Sequence, residues 1–185
     1  MESFAVIDTE TNWSDAVMSI GAVIAEVGTF RPLSAKYYII TPEYKAGGMY
    51  SHALFLDNKK LNLEYSREAA LNDLIDWLEI NRVADLFAYN ASFDCRHLPE
   101  LSSFTWYDIM RMVAYRQYNP KISPGADCHG TGRLKCGYGV ESMLRLLSGD
   151  AAYSEQHNAL TDALDELKIM ELLQRTPSRY LKLYK

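Results

Sequence analysis

A β-prone stretch near the start of the chain, SFAVIDTE at residues 3–10, ends in two acidic residues that are separated by a single residue. Its apolar residues occupy both alternating faces, which is typical of a central strand covered on both sides. Side chains at positions i and i+2 of a strand point to the same face. The stretch therefore predicts a central strand on which Asp8 and Glu10 lie side by side, with Cβ atoms about 7 Å apart.

Two carboxylates on an apolar central strand repel each other and are costly to bury. A hard divalent cation removes that cost, and carboxylate oxygens suit Mg²⁺ or Mn²⁺. The alternative is that Glu10 lies in a solvated loop beyond the strand and that the pair binds nothing.

Strand and helix patterns alternate downstream of this stretch. Strands are predicted at residues 16–27 and 33–41 with a turn near Gly28, so the first three strands form an antiparallel meander. Ser66 is the predicted N-cap of a helix that ends near Ile80. The apolar stripe of this helix is predicted to contain Leu71, Leu74, Ile75 and Leu78.

Two short strands and the remaining helices are predicted in the second half of the chain. The strands lie at residues 85–89 and 104–107, and each precedes a helix whose predicted cap is Asn90 or Asp108, respectively. A loop at residues 119–139 contains two prolines and five glycines, and loops of this length are usually functional or mobile. The last two helices are predicted at about 139–148 and 158–175, the second with a buried stripe of Leu160, Ala163, Leu164 and Leu167.

The order βββ-α-β-α-β-α-α predicts an α/β fold, in which a mixed sheet of about five strands is flanked by helices. The length predicts one domain over residues 1–185. An apolar fraction of 48% and a charged fraction of 23% are ordinary for a globular protein, and they exclude a disordered chain, collagen and a coiled coil.

The sequence predicts a cytoplasmic protein without a membrane segment. Its longest largely apolar stretch, residues 16–27, is too short to cross a bilayer. The N-terminus has no basic residue of the kind that opens a secretory signal. Three cysteines fit a reducing compartment better than a disulfide framework.

The net charge of −5 argues against a protein that coats nucleic acid by bulk electrostatics. The charges are unevenly distributed, because residues 1–30 contain five acidic and no basic residues, whereas residues 111–145 contain six basic and two acidic residues. These two segments could line opposite sides of one site, where one side binds metal and the other binds phosphate. The alternative is that the charged residues are distributed by chance over a solvated surface. The candidates for phosphate contact are Lys121, Arg133 and Lys135.

Three further residues suggest chemistry when they are considered with the first strand. Asp94 is predicted in the first turn of a helix, whose positive end would keep the carboxylate ionised. His157 and Asp162 are five residues apart, a rotation of about 140° on a helix, so they cannot share one helical face. We therefore expect His157 in the preceding loop and Asp162 on the helix, both facing one cavity. The alternatives are a helix-start acid without chemistry and a surface or packing histidine.

A zinc site is disfavoured, because the candidate ligands lack the paired spacing of a zinc frame. They are Cys95, His97, Cys128, His129 and Cys136.

Three motifs, taken in order along the chain, resemble those of the DEDDh 3′–5′ exonucleases, a superfamily that includes ribonuclease T and the proofreading subunit of DNA polymerase III. They are DTE at residues 8–10, NASFD at residues 90–94 and HNALTDA at residues 157–163. The resemblance spans about residues 4–173. It implies a ribonuclease H-like fold of the exonuclease type and a single exonuclease domain.

The resemblance also implies a two-metal site with four acidic positions. Asp8 would bridge two Mg²⁺ ions, Glu10 and Asp162 would complete the first site, and Asp94 would support the second through water; Mn²⁺ would substitute. His157 would be the general base. Two cations about 3.5–4 Å apart can stabilise the entering and leaving oxygens of an in-line displacement, and a histidine with a pKa near 6.5 can accept a proton at neutral pH.

The implied activity is hydrolysis at the 3′ end of single-stranded DNA or RNA with release of nucleoside 5′-monophosphates. The sequence does not distinguish DNA from RNA, since no residue can be tied to a 2′-hydroxyl.

The family often continues its first motif with Thr-Gly-Leu, whereas this chain has Thr-Asn-Trp at residues 11–13, where Trp13 could stack on a base or fill a turn. The residues implied in substrate binding are Thr9, Thr11, Asn12, Trp13, Asn90 and Phe93.

Two other functions remain open at this point. The domain could act mainly as a proofreading or nucleic-acid-binding subunit of a partner complex, although no long tail is available for docking. It could also be an endonuclease of the ribonuclease H type, but the spacing of His157 and Asp162 favours the exonuclease. The family also includes dimers, so a homodimer and a polymerase-type partner are both compatible with the resemblance.

Overall fold

The opening stretch forms the central strand β1, Ser3–Thr11, in a computed structural model that describes residues 2–182. On one side β1 pairs antiparallel with β2, Val17–Glu26, and on the other it pairs parallel with β5, Asp85–Ala88. Strand β3, Pro32–Ile40, pairs antiparallel with β2. The predicted three-stranded meander is therefore confirmed.

Within residues 2–182 the sheet has seven strands rather than the expected five or so, in the order β4-β3-β2-β1-β5-β6-β7. Strand β6, Thr105–Asp108, continues the parallel half beside β5. The two extra strands are the edges β4, Glu64–Tyr65, and β7, Leu181–Lys182. Each has only two residues, which is too short for an alternating pattern to be visible in the sequence.

In the described part of the chain, five α-helices connect or cover these strands. Helix α1 begins directly after the predicted cap, since the Ser66 hydroxyl accepts a hydrogen bond from the backbone N–H of Ala69 at 3.2 Å. The described residues contain no helix that is long and apolar enough to cross a membrane. The helices are α1, Arg67–Ile80; α2, Ser92–His97; α3, Met110–Val113; α4, Val140–Ser148; and α5, Ala159–Leu173.

Alternate residues of β1 belong to two hydrophobic cores on opposite faces of the sheet. Phe4 and Val6 pack in the core that contains residues of α4 and α5, whereas Ala5 and Ile7 pack in the core beneath α1. All four side chains are buried. This confirms a strand covered on both sides, and it places Asp8 and Glu10 on the face that α5 covers.

Three local predictions are wrong in detail. Asn90 does not cap α2, because its backbone is left-handed with φ 61° and the cap position is Ala91. Asp108 lies one position before the cap of α3, and its carboxylate accepts the backbone N–H of Asn90 at 3.2 Å as well as backbone hydrogen bonds from Met110 and Arg111 at the start of α3. Leu164 is 38% exposed. The buried face of α5 continues instead through Glu166, Leu167, Ile169 and Met170.

The start of α5 lies directly over β2 at Gly21. A Cβ atom at Gly21 would lie 2.1 Å from the backbone oxygen of Ala159, so only glycine allows this approach. Gly21 is also the pairing partner of Asp8. The contact therefore sets the start of α5 beside the acidic end of β1.

Candidate functional site

The paired carboxylates lie within β1 and not in a loop beyond it. Asp8 pairs with Gly21 and Glu10 pairs with Ser19 on β2, so the residues opposite them are small. Asp8 Oδ2 is buried and has no hydrogen-bond partner. This orphaned oxygen on the α5 face indicates that the carboxylate is prepared for a ligand.

Asp94 joins this pair from the first turn of α2 and is 2% exposed. The Thr9 hydroxyl donates a hydrogen bond of 2.7 Å to Asp94 Oδ1, which fixes the carboxylate against β1. Burial raises the pKa of Asp94 to about 7, against the lowering effect of the Thr9 hydrogen bond. Desolvation therefore acts against the ionised form that the helix start is expected to favour.

His157 and Asp162 approach the pair from the other side, with His157 before α5 and Asp162 in its first turn. The backbone of His157 is left-handed, with φ 55°. One ligand atom from each of Glu10, His157 and Asp162 lies within 4.8 Å of the others. The prediction that His157 lies in the preceding loop and Asp162 on the helix is confirmed, and their ligand atoms lie close together beside Glu10.

Asn158 anchors the segment that contains His157. Its side-chain oxygen accepts the backbone N–H of Leu160 at 3.0 Å, which caps α5. Its side-chain nitrogen donates to the hydroxyl of Tyr37 at 2.9 Å and to the backbone oxygen of Ala53 at 2.8 Å. The buried Asn158 amide therefore joins the segment that contains His157 to α5 on one side and to Tyr37 and Ala53 on the other.

The electrostatics of the acidic cluster favour a bound cation. Burial and the neighbouring carboxylates raise the pKa of Asp8 well above its ordinary value and that of Glu10 to about 8. Burial raises the pKa of Asp162 to about 7, with a further contribution from Glu155. The donors are carboxylate oxygens beside one imidazole, a set that fits Mg²⁺ or Mn²⁺.

Two acidic residues of this cluster were missed in the sequence. Glu155 is half-buried, and its charge raises the pKa values of Glu10 and Asp162. Glu166 is 1% exposed, and burial raises its pKa well above the ordinary value, with further contributions from Asp8 and others. Its position four residues after Asp162 placed it on the same helical face, and this spacing was the available signal.

A cavity of about 380 Å³ opens beside the acidic cluster. Trp13 lies at its rim with 70% of its surface exposed, so it is not a core residue. Asn12 is buried and orders the turn, since its side-chain oxygen accepts the backbone N–H of Ser14 at 2.9 Å. The lining includes all six residues implied in substrate binding, Thr9, Thr11, Asn12, Trp13, Asn90 and Phe93, together with Met49, Tyr50 and Tyr89.

The basic segment, residues 111–145, reaches the cavity indirectly, through contacts of Arg133 with Tyr138 and of Tyr138 with Tyr89. Lys121 lines a separate, mostly apolar groove, and Lys135 forms an ion pair of 2.8 Å with Asp127. Arg133 lies over the ring of Tyr138, with 5.2 Å from its guanidinium carbon to the ring centroid. The hydroxyl of Tyr89, which lines the cavity, donates to the backbone oxygen of Tyr138.

The cysteines are not gathered into a metal site. Within residues 2–182, the side chains grouped closely enough to hold a metal ion together are those of Glu10, His157 and Asp162, and no cysteine belongs to such a group.

Comparison of the whole fold with solved structures gives clear matches. The nuclease domain of 3′hExo, a DEDDh family member bound to rAMP, has a TM-score of 0.68 at 14% identity, over 99% of this chain and 96% of that one. Exonuclease X in complex with 5′-overhanging duplex DNA has a TM-score of 0.55 at 19% identity, over 95% and 96%. E. coli Exonuclease I in complex with a dA16 oligonucleotide has a TM-score of 0.59 at 13% identity, over 97% and 42%.

No protein-family model matches the chain, and neither does any curated protein sequence. At identities of 13–19% the likeness shows the fold and not the activity. The structural matches agree with the mixed sheet flanked by helices that the sequence predicts. The chain therefore has the α/β, ribonuclease H-like fold of the DEDDh 3′ exonucleases.

Proposed function

We propose that this protein is a divalent-metal-dependent exonuclease that hydrolyses the phosphodiester bond at the 3′ end of single-stranded DNA or RNA. The observation that carries the proposal is the convergence of four carboxylates and one histidine beside a cavity, in a fold shared with 3′ exonucleases. The four carboxylates come from three separate elements, β1, α2 and α5. Such a gathering of like charges is costly unless a ligand compensates it.

Asp8, Glu10, Asp94 and Asp162 would hold Mg²⁺, with Mn²⁺ as a substitute. Bound there, two ions would supply charge stabilisation to the entering and leaving oxygens. The orphaned Asp8 Oδ2 and the all-oxygen carboxylate set support this assignment. Thr9 serves the site by holding Asp94 Oδ1 in place.

His157 would act as the general base. Its imidazole lies beside Glu10 and Asp162, where it can accept a proton from the attacking water as the new P–O bond forms. The bond from phosphorus to the 3′ oxygen then breaks, and the 3′ oxygen remains on the shortened strand. The products are a nucleoside 5′-monophosphate and a strand one nucleotide shorter.

The cavity would receive the terminal nucleotide. Its volume of about 380 Å³ is within the usual range for small-molecule sites. The exposed ring of Trp13 at the rim and the half-buried ring of Phe93 offer apolar surfaces on which a base can stack. Neither a homodimer nor a polymerase-type partner is part of the proposal, because the compared structures give them no support.

A degradation assay tests the proposal. Single-stranded DNA and RNA oligomers with a 5′ label are incubated with Mg²⁺, Mn²⁺ or EDTA, beside a circular single strand. We expect a metal-dependent ladder that shortens from the 3′ end and an intact circle. Asp162→Asn, which keeps the side-chain volume, should abolish the ladder, whereas the control Glu171→Gln on the outer part of α5 should not. Absence of a ladder on both polymers, or cleavage of the circle, would overturn the proposal.

A further inference from the structure

Glu166 lies in the buried part of the acidic cluster. It follows Asp162 by one helical turn on α5 and is 1% exposed. Its Oε2 atom accepts the backbone N–H of Tyr89 at 3.0 Å. Tyr89 comes directly after β5, so the carboxylate of Glu166 lies at the carboxyl end of that strand.

The sheet register places this carboxylate next to Asp8. Strands β1 and β5 are parallel neighbours, and Val6 pairs with Phe87. Asp8 follows Val6 by two residues, and Tyr89, whose N–H Glu166 accepts, follows Phe87 by two residues, so both lie just beyond this pair in the same direction. Glu166 interacts electrostatically with both Asp8 and Asp94. Three carboxylates from β1, α2 and α5 therefore share one buried region.

A structural role for Glu166 does not by itself require a carboxylate. The hydrogen bond to Tyr89 needs only an acceptor, and the side-chain oxygen of a glutamine would supply one. A buried charge is expensive without a partner of opposite sign. Among the ion pairs of residues 2–182, none involves Glu166.

The unpaired oxygen of Asp8, Oδ2, is a second observation that supports a role for Glu166 at the cation site. This oxygen is buried and lacks a hydrogen-bond partner in the same region. An orphaned carboxylate oxygen beside two further acids has the chemistry of a cation ligand, and residues that surround the ligands of a metal tune its affinity. The Asp8 and Asp94 side of the cluster thus has one more carboxyl group than the four motif positions provide.

We propose that Glu166 is a positioning residue of the cation site, whose carboxyl group is held by the Tyr89 N–H near Asp8 and Asp94 and strengthens their binding of a divalent cation. This inference deepens the proposed function and rests on it, since it takes Asp8 and Asp94 as cation ligands. It assigns no direct contact between Glu166 and substrate. Its effect is on the affinity and placement of the cation.

Binding of Mn²⁺ alone to the full chain, measured by calorimetry, tests the inference. Glu166→Gln keeps an acceptor for the Tyr89 N–H and removes the charge. We expect its dissociation constant for Mn²⁺ to rise about tenfold or more, as for other groups that support metal ligands. The control Glu171→Gln, on the same helix in a solvent-facing pair with Lys168, should bind Mn²⁺ like the wild type.

A thermal unfolding cycle separates this role from a purely structural one. If Glu166 strengthens cation binding, Glu166→Gln lowers Tm more in the presence of Mn²⁺ than in EDTA. If Glu166 only accepts the Tyr89 N–H, the loss of Tm is the same in both, and the inference is overturned. If Glu166→Gln does not fold, Glu166→Asp, whose side chain is one methylene shorter, replaces it in the same measurement. The inference again requires a loss of Tm that is larger in Mn²⁺ than in EDTA.

The outcomes also distinguish this inference from the proposed function. Wild-type protein that binds no Mn²⁺ would refute both. Wild-type protein that binds Mn²⁺ while Glu166→Gln binds it equally well would refute only the role of Glu166.

Discussion

The phenol ring of Tyr50 stacks on the imidazole of His157, with the ring centroids 4.0 Å apart and 18° between the planes. Tyr50 lies just before a short 3-10 helix in the connection after β3, and His157 lies before α5. The stack therefore joins two distant parts of the chain at the cavity. Together with the anchor at Asn158, it determines the direction of the histidine ring.

Loss of this stack should impair the proposed base. Tyr50→Ala is expected to lower kcat about tenfold, because an aromatic pair contributes about 0.5–1.5 kcal/mol and its loss lets the imidazole move. Tyr50→Phe keeps the ring and should retain most of the activity. Steady-state kinetics on a labelled oligomer measure both variants. A wild-type kcat in Tyr50→Ala would show that the stack has no part in catalysis.

Trp13 should contribute to substrate binding and not to chemistry. Trp13→Ala is expected to raise KM for a single-stranded oligomer with little change in kcat, because stacking on a base contributes about 1–3 kcal/mol. Ile80, an exposed apolar residue at the end of α1, provides the control Ile80→Ala. An unchanged KM in Trp13→Ala would place the terminal base elsewhere.

Gly21 should be essential for the position of α5. Gly21→Ala puts a methyl group 2.1 Å from the backbone oxygen of Ala159, where no flexible side chain can give way. We expect a loss of about 1–3 kcal/mol or more in the free energy of unfolding, measured in urea. Gly130→Ala, at a site with no atom within 4 Å of the added carbon, is the matched control. Equal stability of the two variants would contradict the close approach of α5 to β2.

The free energy of unfolding should fall as pH rises, and a bound divalent cation should offset this fall. The buried acids have raised pKa values, about 8 for Glu10 and about 7 for Asp162. Between about pH 4 and about pH 8 the unfolded chain has released protons that the folded chain retains, so the free energy of unfolding falls as pH rises. A cation that binds only the folded ionised site offsets this loss.

The increase of Tm on addition of Mg²⁺ should therefore be larger near pH 8 than near pH 5. Thermal unfolding in Mg²⁺ and in EDTA across this range measures it. Asp162→Asn serves as the control, since it removes one of the charges and should show a smaller increase. An increase that does not vary with pH would mean that these carboxylates do not bind the cation.

The sequence by itself determined the local features of the site. The two-faced apolar pattern of residues 3–10 predicted a central strand, and the period of two placed Asp8 and Glu10 on one face. The rotation between His157 and Asp162 correctly separated them into loop and helix. These features depend on neighbours along the chain, so local periodicity contains them.

Only the tertiary structure decided which further residues join those of the three motifs. Glu166 and Tyr50 join the site through contacts with segments far away in sequence, Tyr89 and His157, respectively. The pKa of Asp94 is raised because the packed fold removes water from it, whereas its place at a helix start predicted an ionised group. Long-range pairing and desolvation depend on how the elements pack, and no local pattern in the sequence encodes that packing.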